Sequence, residues 1–150
     1  MRLTKKLMFA IEAVLDIAYH AADHPVQSKE IADRQGIPRR YLEQVLQQLV
    51  RAEILRGVRG PRGGSRLAKE RRRITVADIV AVVHEMEGGK DPLMDPAGSE
   101  LGNTVLRPIW TEIEEYAMER LSKTTIEDLC ISAQRAGIES QSETQFDFMI

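Results

Sequence analysis

The strongest constraint on the fold is a tight corner between two short amphipathic helices. Ser28 can N-cap the first helix, which Gly36 ends, and Pro38 suits the first turn of the second. The second helix places apolar side chains at helical spacing: Leu42, Val45, Leu46, Leu49 and Val50. Because only residues 35–38 connect the two helices, the pattern predicts a helix-turn-helix.

A β-hairpin is predicted directly after this helix pair. Hydrophobicity changes from a helical period to short alternating runs at residues 54–58 and 65–68. The sequence between these runs is RGPRGG (59–64), whose glycines and proline favour a turn. A helix-turn-helix followed by a hairpin with arginines at its tip is typical of a winged helix.

Helices are also predicted on either side of this unit. An apolar stripe from Leu3 to Ala21 indicates a long first helix. Thr75 and Asp78 form a capping box for a helix that ends at Gly88.

A further helix is predicted after a loop rich in glycine and proline. It starts near Pro108, and Thr124 with Glu127 can cap a short final turn. Its apolar side carries Ile109, Ile113, Tyr116 and Leu121. Because its other side is acidic, this helix needs a partner surface.

Charge is distributed unevenly along the chain. The formal net charge is −2, but residues 1–75 hold 16 Lys/Arg against 8 Asp/Glu (+8), and residues 76–150 hold 5 against 15 (−10). Within residues 39–73 there are 11 basic side chains, ten of them Arg. Arginine pairs bidentately with phosphate and with guanine edges, so we expect the first half to bind a polyanion.

Glu43 is an acidic residue in the predicted basic helix, and two explanations are open. Its carboxylate can accept a hydrogen bond from cytosine N4 in the major groove. Alternatively, it forms an ion pair with Arg39 or Arg40 on the same helix face. The two roles do not exclude each other.

The sequence argues against several other classes of function. No stretch free of Asp, Glu, Lys and Arg exceeds seven residues (44–50), which excludes a membrane-spanning helix of about 20 apolar residues. The N-terminus has no secretory hydrophobic region, so we expect a cytoplasmic protein. We find no nucleophile motif and no phosphate-binding glycine loop before a helix, so we do not expect an enzyme.

A metal site or a redox sensor has little support. His20 and His24 are four residues apart and could share a metal ion, but further ligands would be needed. The single cysteine, Cys130, cannot form an internal disulfide. Its acidic neighbours would raise the pKa of its thiol and slow its oxidation. We therefore predict no bound metal.

Five stretches of the chain carry a family resemblance: MRLT (1–4), IADRQGI (31–37), YLEQ (41–44), VRGPRGG (58–64) and ITVADI (74–79). Together they resemble the IscR/NsrR/CymR-type family of bacterial regulators, over residues 1 to about 129. The resemblance implies a homodimeric winged-helix transcription factor that is mainly α with a small β-hairpin. In this family the recognition helix enters the major groove, a wing arginine enters the minor groove, and a long C-terminal helix forms the dimer.

The resemblance also implies site residues and domains. The DNA-binding residues would be Ser28, Arg39, Arg40, Tyr41, Glu43, Gln44, Arg59, Gly60, Pro61, Arg62 and Gly63. The dimer interface would contain Ile109, Ile113, Tyr116 and Leu121. The predicted divisions are a winged helix-turn-helix DNA-binding domain (1–87), a loop (88–103), a dimerisation helix region (104–130) and a polar tail (131–150).

Many family members hold an iron–sulfur cluster with three cysteines in the loop before the dimer helix. Aligned on Trp110, those positions and the additional ligand positions fall on Pro92, Gly98, Thr104, Arg107 and Met8. None of these residues supplies a thiolate. The chain therefore resembles the cluster-free branch, which includes regulators controlled by a metabolic enzyme, and we predict no cofactor.

From the residues and the resemblance together we predict a homodimeric, sequence-specific DNA-binding regulator. Repression is favoured because a bound dimer can block polymerase without further contacts. A small-molecule effector or a metabolic enzyme remains open as an additional partner. The alternative is a protein-interaction adaptor of the same fold that acts through such an enzyme, and salt-dependent DNA binding separates the two.

Overall fold

The computed structural model describes residues 3–21, 24–89 and 98–142. Within them the chain forms α1 (Lys5–His20), α2 (Ser28–Gln35), α3 (Arg39–Arg51), β1 (Leu55–Val58), β2 (Gly64–Leu67), α4 (Val76–Met86), α5 (Arg107–Ser122) and α6 (Ile126–Arg135). A short 3-10 turn (Arg71–Arg73) precedes α4, and a π-helical turn (Gly102–Leu106) leads into α5. The predicted fold class, mainly α with a small β-hairpin, is confirmed.

The first helix is the centre of the core. Thr4 caps α1, its Oγ1 accepting a hydrogen bond of 3.2 Å from the N–H of Leu7. The predicted apolar stripe is buried from Leu7 to Ile17, whereas Leu3 lies before the helix and is 75% exposed. Because α1 packs against α2, α3, α4, α6 and β2, it connects the helix-turn-helix and the hairpin to the rest of the described chain.

The corner between α2 and α3 has the predicted geometry, but α2 begins differently. Gly36 takes a left-handed conformation (φ 64°), and its N–H donates to the carbonyl of Ala32 at 2.9 Å. Ser28 is the first residue of α2 rather than its N-cap, which is Gln27. The reason is tertiary, because Val26 pairs with Ser65 of β2 and keeps the chain extended up to Gln27.

The third helix is strongly amphipathic. Leu42, Val45, Leu46 and Leu49 are buried as predicted, but Val50 is 39% exposed. Full burial of one such side chain contributes about 1.5–3 kcal/mol, so this row fixes the rotation of α3 about its axis. The opposite side of α3 is thereby held towards solvent.

The hairpin docks onto the beginning of α2. In the β1–β2 register Leu55 faces Leu67 and Val58 faces Gly64. Backbone hydrogen bonds of 3.0 and 2.8 Å also join Val26 to Ser65 in an isolated antiparallel bridge beside β2. A Cβ on Gly64 would lie 2.4 Å from the carbonyl oxygen of Val26, so this contact requires glycine.

The last helix of the described chain packs back onto α1. Thr75 and Thr125 form an antiparallel bridge, and this bridge shifts the cap of α6 by one residue from the predicted Thr124. The actual capping box is Thr125 with Asp128. Ile126 and Cys130 on α6 are buried.

The segment from the end of α6 to residue 142 packs against the end of α1. The buried hydroxyl of Ser140 donates to the carbonyl of Tyr19 at 2.5 Å, and the Tyr19 hydroxyl donates to the carbonyl of Ile138. The remainder of the predicted polar tail, residues 143–150, lies outside the described residues.

None of the described helices combines the length and apolar character that crossing a membrane requires. Among the described residues no three His, Cys, Asp or Glu side chains lie together as metal ligands, and His20 is occupied by hydrogen bonding to the backbone of residue 141.

Candidate nucleic-acid interface

The exposed side of α3 carries most of the predicted recognition residues. Arg39, Arg40, Glu43, Gln44 and Gln47 are all exposed, and they lie opposite the buried leucines of the same helix. Guanidinium, amide and carboxylate groups are those that hydrogen-bond base edges in the major groove. Gln47 belongs to this surface although it is absent from the predicted set.

Glu43 adopts the geometry of an ion pair with Arg39. Oε1 of Glu43 lies 3.6 Å from Nε of Arg39, one helical turn away, and both side chains are more than half exposed. An exposed pair of this kind contributes about 0.3–0.5 kcal/mol. The pair is too weak to prevent Glu43 from making a different contact with DNA, so both predicted roles remain open.

Tyr41 is half-buried and points away from the exposed side of α3. Its hydroxyl donates to the carbonyl of Lys6 at 2.7 Å, and its ring lies 6.0 Å from the ring of Phe9. Burial, followed by the charge of Glu87, raises the pKa of Tyr41 to about 12. The structure therefore gives this side chain the role of joining α3 to α1.

The wing presents its arginines at the tip. Arg59 and Arg62 are exposed on either side of Gly60 and Pro61. Gly60 has φ 111°, which favours glycine, and a Cβ on Gly63 would lie 2.2 Å from the carbonyl oxygen of Val58. These glycines allow a narrow turn that can enter a groove with an arginine on each side.

An ion pair that is absent from the sequence analysis sets the position of α2. Asp16 of α1 is 2% exposed and accepts hydrogen bonds from Arg34 Nε at 2.9 Å, Arg34 Nη2 at 2.8 Å and Gln35 Nε2 at 2.8 Å. Such bidentate, charge-assisted bonds are directional. The sequence does carry a signal for this pair, because the acidic Asp16 lies among the buried positions of α1, three residues after Ala13 and one before Ile17.

The remaining predicted DNA contact, Ser28, is half-buried at the start of α2. Arg62 of the wing and Gln27 at the start of α2 line one polar cleft. Since α2 packs against α3 and α3 packs against β1, the described residues bring these three elements together.

The predicted dimer residues divide into two groups. Ile109, Ile113 and Tyr116 are 51%, 53% and 64% exposed on α5, whereas Leu121 is half-buried against the core. The exposed side also carries Trp110, and it continues towards the N-terminus with Leu101, Val105 and Leu106. We call Leu101, Val105, Leu106, Ile109, Trp110, Ile113 and Tyr116 the α5 apolar face. The structure describes α5 in full, and no residue in it is buried.

The pKa of the Cys130 thiol is raised, as predicted, but the main cause differs from the predicted one. Burial is the main reason that the pKa of its thiol is raised, while nearby Arg71 acts in the opposite direction and Glu127 adds a smaller upward effect. The direction agrees with the sequence analysis, but desolvation rather than acidic charge dominates.

The helix-turn-helix, the wing and their exposed arginines define a winged-helix DNA-binding regulator. Residues 3–132 match the model of the Rrf2 family, described as "Iron-dependent Transcriptional regulator", so the chain belongs to the Rrf2 family. The family resemblance inferred from sequence is confirmed, and the chain is a DNA-binding transcriptional regulator rather than an enzyme.

Individual relatives agree with this assignment. The chain is 34% identical over 130 residues to the HTH-type transcriptional regulator IscR of Xenorhabdus nematophila, covering 86% of this chain and 79% of that protein. It is similar in structure to T. potens IscR (TM-score 0.73, 30% identity, 93% of both chains). It is also similar to CymR (YrzC), the global cysteine regulator of B. subtilis (TM-score 0.70, 28% identity, 88% of this chain and 98% of that one).

Proposed function

We propose that the protein is a homodimeric, sequence-specific transcriptional repressor that works without an iron–sulfur cluster. The observation that carries the proposal is the set of exposed arginines on α3 and at the tip of the wing, whose elements α3 and β2 pack against α1. The exposed side of α3 fits the major groove, and the tip with Arg59 and Arg62 fits a narrow minor groove, whose negative potential attracts guanidinium.

Dimerisation is supported by the α5 apolar face. Seven large apolar side chains, on α5 and on the segment directly before it, are between 50% and 76% exposed in the single protomer. A group of large exposed apolar side chains such as this one often marks an interaction site. A second copy, related by a two-fold axis, would cover it and place two recognition helices for a two-part operator.

The donor set does not fit an iron–sulfur cluster. Gly98 and Thr104 offer no thiolate, Arg107 is cationic, and the position at Pro92 lies outside the described residues. The single cysteine is buried on α6 against α1, in a different part of the fold. Clusters are held by about four ligands, mostly Cys thiolates, so we assign no step to such a group.

Repression is the simpler regulatory outcome because occupancy of the operator alone can block polymerase. A metabolic enzyme as partner, or a role as an adaptor of the same fold, is the second candidate. The exposed arginines favour the first, since an adaptor has no need of a salt-dependent affinity for DNA.

The proposal is tested by comparing Arg59→Ala with Glu43→Ala on an operator selected from random duplex DNA and on a scrambled duplex. Arg59→Ala is expected to cost about 1–3 kcal/mol, to lower the salt slope by about one and to weaken binding to both duplexes. Glu43→Ala is expected to keep or raise affinity for scrambled DNA while lowering the ratio of operator to scrambled binding.

A matched control is Arg135→Ala, which removes an exposed arginine at the far end of α6. Its binding should equal that of the wild type on both duplexes. Absence of salt-dependent binding by the wild-type protein would favour the adaptor. If Glu43→Ala lost affinity equally for both duplexes, Glu43 would act only as an ion-pair partner of Arg39 and not in sequence recognition.

A further inference from the structure

A cavity of about 310 Å³ lies where the chain enters α5, at one edge of the α5 apolar face. Its lining residues are Gly98, Gly102, Asn103, Leu106, Arg107 and Trp110. We propose that it is the binding site of a small organic carboxylate that carries a hydrogen-bond donor next to the carboxylate and an apolar body. The proposal deepens the proposed function, since it supplies the repressor with an effector site.

The first observation is a buried acceptor in the cavity wall. Among the residues that the structure describes, Oδ1 of Asn103 is a buried side-chain atom without a hydrogen-bond partner. Buried polar groups are nearly always paired, and an unpaired one lowers stability. A ligand O–H or N–H that reaches this oxygen would complete the missing bond.

The second observation is a cation beside that acceptor. A Cβ built on Gly98 would lie 3.4 Å from Oδ1 of Asn103 and 3.6 Å from Nη2 of Arg107. Both side chains therefore lie beside the Cα of Gly98, close enough for one small ligand in the cavity to contact both. Guanidinium carries five N–H donors in a fork that matches a carboxylate, so Arg107 retains donors for a ligand beside its other contacts.

The third observation is the apolar wall formed by Leu106 and Trp110, which are 57% and 50% exposed. The backbone reaches this wall through the π-helical turn at Gly102–Leu106, where the N–H of Arg107 donates to the carbonyl of Gly102. Such wide turns occur frequently at functional sites. The flat indole and the leucine suit an apolar ligand body next to the polar pair.

The location couples the cavity to the proposed dimer. Leu106 and Trp110 belong to the α5 apolar face, so a second copy packed on that face would close the open side of the cavity. A ligand bound there would contact the interface that sets the spacing of the two recognition helices. Its differential affinity for two arrangements of the dimer would change operator binding.

Trp110 is the single tryptophan of the chain, so its fluorescence reports on the cavity directly. The probe is 3-phenyllactate, which has a carboxylate, an adjacent hydroxyl and a phenyl ring. The two comparison compounds are 3-phenylpropionate, which lacks the hydroxyl, and 2-phenylethanol, which lacks the carboxylate. We expect a saturable change with 3-phenyllactate and at least about tenfold weaker binding of the other two.

Variants separate a ligand site from a structural feature. Asn103→Leu removes the unpaired acceptor and Arg107→Gln removes the cation, and each should weaken 3-phenyllactate binding at least about tenfold. The matched control is Glu112→Gln, an exposed position of α5 outside the cavity, which should bind as the wild type does. Asn103→Leu should melt at the same or a higher temperature than the wild type, whereas a structural Asn103 would lower it.

Three results would overturn the proposal: no saturable change with 3-phenyllactate, equal affinity for the three compounds, or unaltered binding by Asn103→Leu. Operator binding by the wild-type protein is measured separately, without any compound present. Loss of that binding would contradict the proposed function while the fluorescence titration still decides whether the cavity binds the probe.

Discussion

At the scale of single residues, Asp16 and His20 connect the helix-turn-helix to the C-terminal segment. His20 accepts a hydrogen bond of 3.1 Å at Nδ1 from the N–H of Gln141, and its Nε2 lies 3.9 Å from Oδ2 of Asp16. This arrangement requires a neutral imidazole with its proton on Nε2. Asp16 in turn holds Arg34 and Gln35 of α2.

The stability of the protein should fall in mild acid because of His20. Burial, opposed by the charge of Asp16, lowers the pKa of His20 below its ordinary value of 6.5, with smaller effects from Arg34 (downward) and Glu30 (upward). The unfolded chain therefore takes up the proton first. The contribution of His20 to the free energy of unfolding is complete above pH 6.5. It is lost as the pH falls from 6.5 towards the lower pKa that His20 has in the folded state.

Urea unfolding at about pH 7.5 and about pH 5.5 measures this effect. In His20→Gln the difference in unfolding free energy between the two pH values should be smaller than in the wild type. His84→Gln, at an exposed position of α4, should keep the wild-type difference. An unchanged difference in His20→Gln would mean that other groups control the acid response.

Tyr41→Phe tests whether this residue acts on the fold or on DNA. The substitution removes the hydrogen bond of 2.7 Å to the carbonyl of Lys6 but keeps the ring against Phe9. We expect a loss of about 0.5–1.5 kcal/mol in unfolding free energy and no change in operator affinity. An unchanged stability with weakened operator binding would instead place the hydroxyl on the DNA.

At the scale of elements, α5 differs from the other helices. Every other α-helix in the described part of the chain buries at least one residue, but α5 buries none. Amphipathic helices owe most of their stability to packing of the apolar side. A sixteen-residue helix with this exposed face is therefore expected to gain its remaining packing from a second copy.

Ile113→Asp should convert the proposed dimer into a folded monomer. Ile113 is 53% exposed in the protomer, so the carboxylate stays solvated in the monomer but would be buried without a partner in the dimer. A charge left unpaired in this way costs about 3–5 kcal/mol. Light scattering gives the mass, circular dichroism checks the helices, and operator affinity should fall with the loss of the dimer.

The matched control is Ile131→Asp, which places the same charge at an apolar position of α6 that is 38% exposed. It should remain dimeric and bind the operator. A dimeric Ile113→Asp protein with normal DNA binding would contradict the assignment of the α5 apolar face as the interface.

At the scale of the whole molecule, the chain is expected to remain free of iron. The protein is purified anaerobically and is then incubated with ferrous iron and sulfide. At both stages it should show no absorbance at about 420 nm and no stoichiometric sulfide. A ferredoxin treated in parallel serves as the positive control. A coloured product with stoichiometric iron would show that residues other than the aligned positions bind a cluster.

Several parts of the structure followed from the sequence because their signals are local. The Gly36 corner, the apolar row of α3 from Leu42 to Leu49 and the Thr75–Asp78 capping box depend on residues a few positions apart. The glycine-rich wing with its arginines also depends on near neighbours. These short-range patterns, with the charge difference between the halves, were sufficient to predict a winged-helix DNA-binding protein.

Only the tertiary structure decided the features that depend on distant pairs. The caps of α2 and α6 moved to Gln27 and Thr125 because backbone bridges from Val26 to Ser65 and from Thr75 to Thr125 hold those segments extended. Tyr41, predicted as a DNA contact, is turned towards Lys6 of α1.

Only the tertiary structure decided two further features as well: the burial of Asp16 against its partners in α2, and the cavity at Asn103 and Arg107. A sequence pattern shows which side of a helix is apolar, but it does not show which neighbour covers that side or which polar atom is left without a partner. Those outcomes depend on how α1, α5 and α6 pack, because burial and hydrogen bonding are properties of residue pairs far apart in the chain.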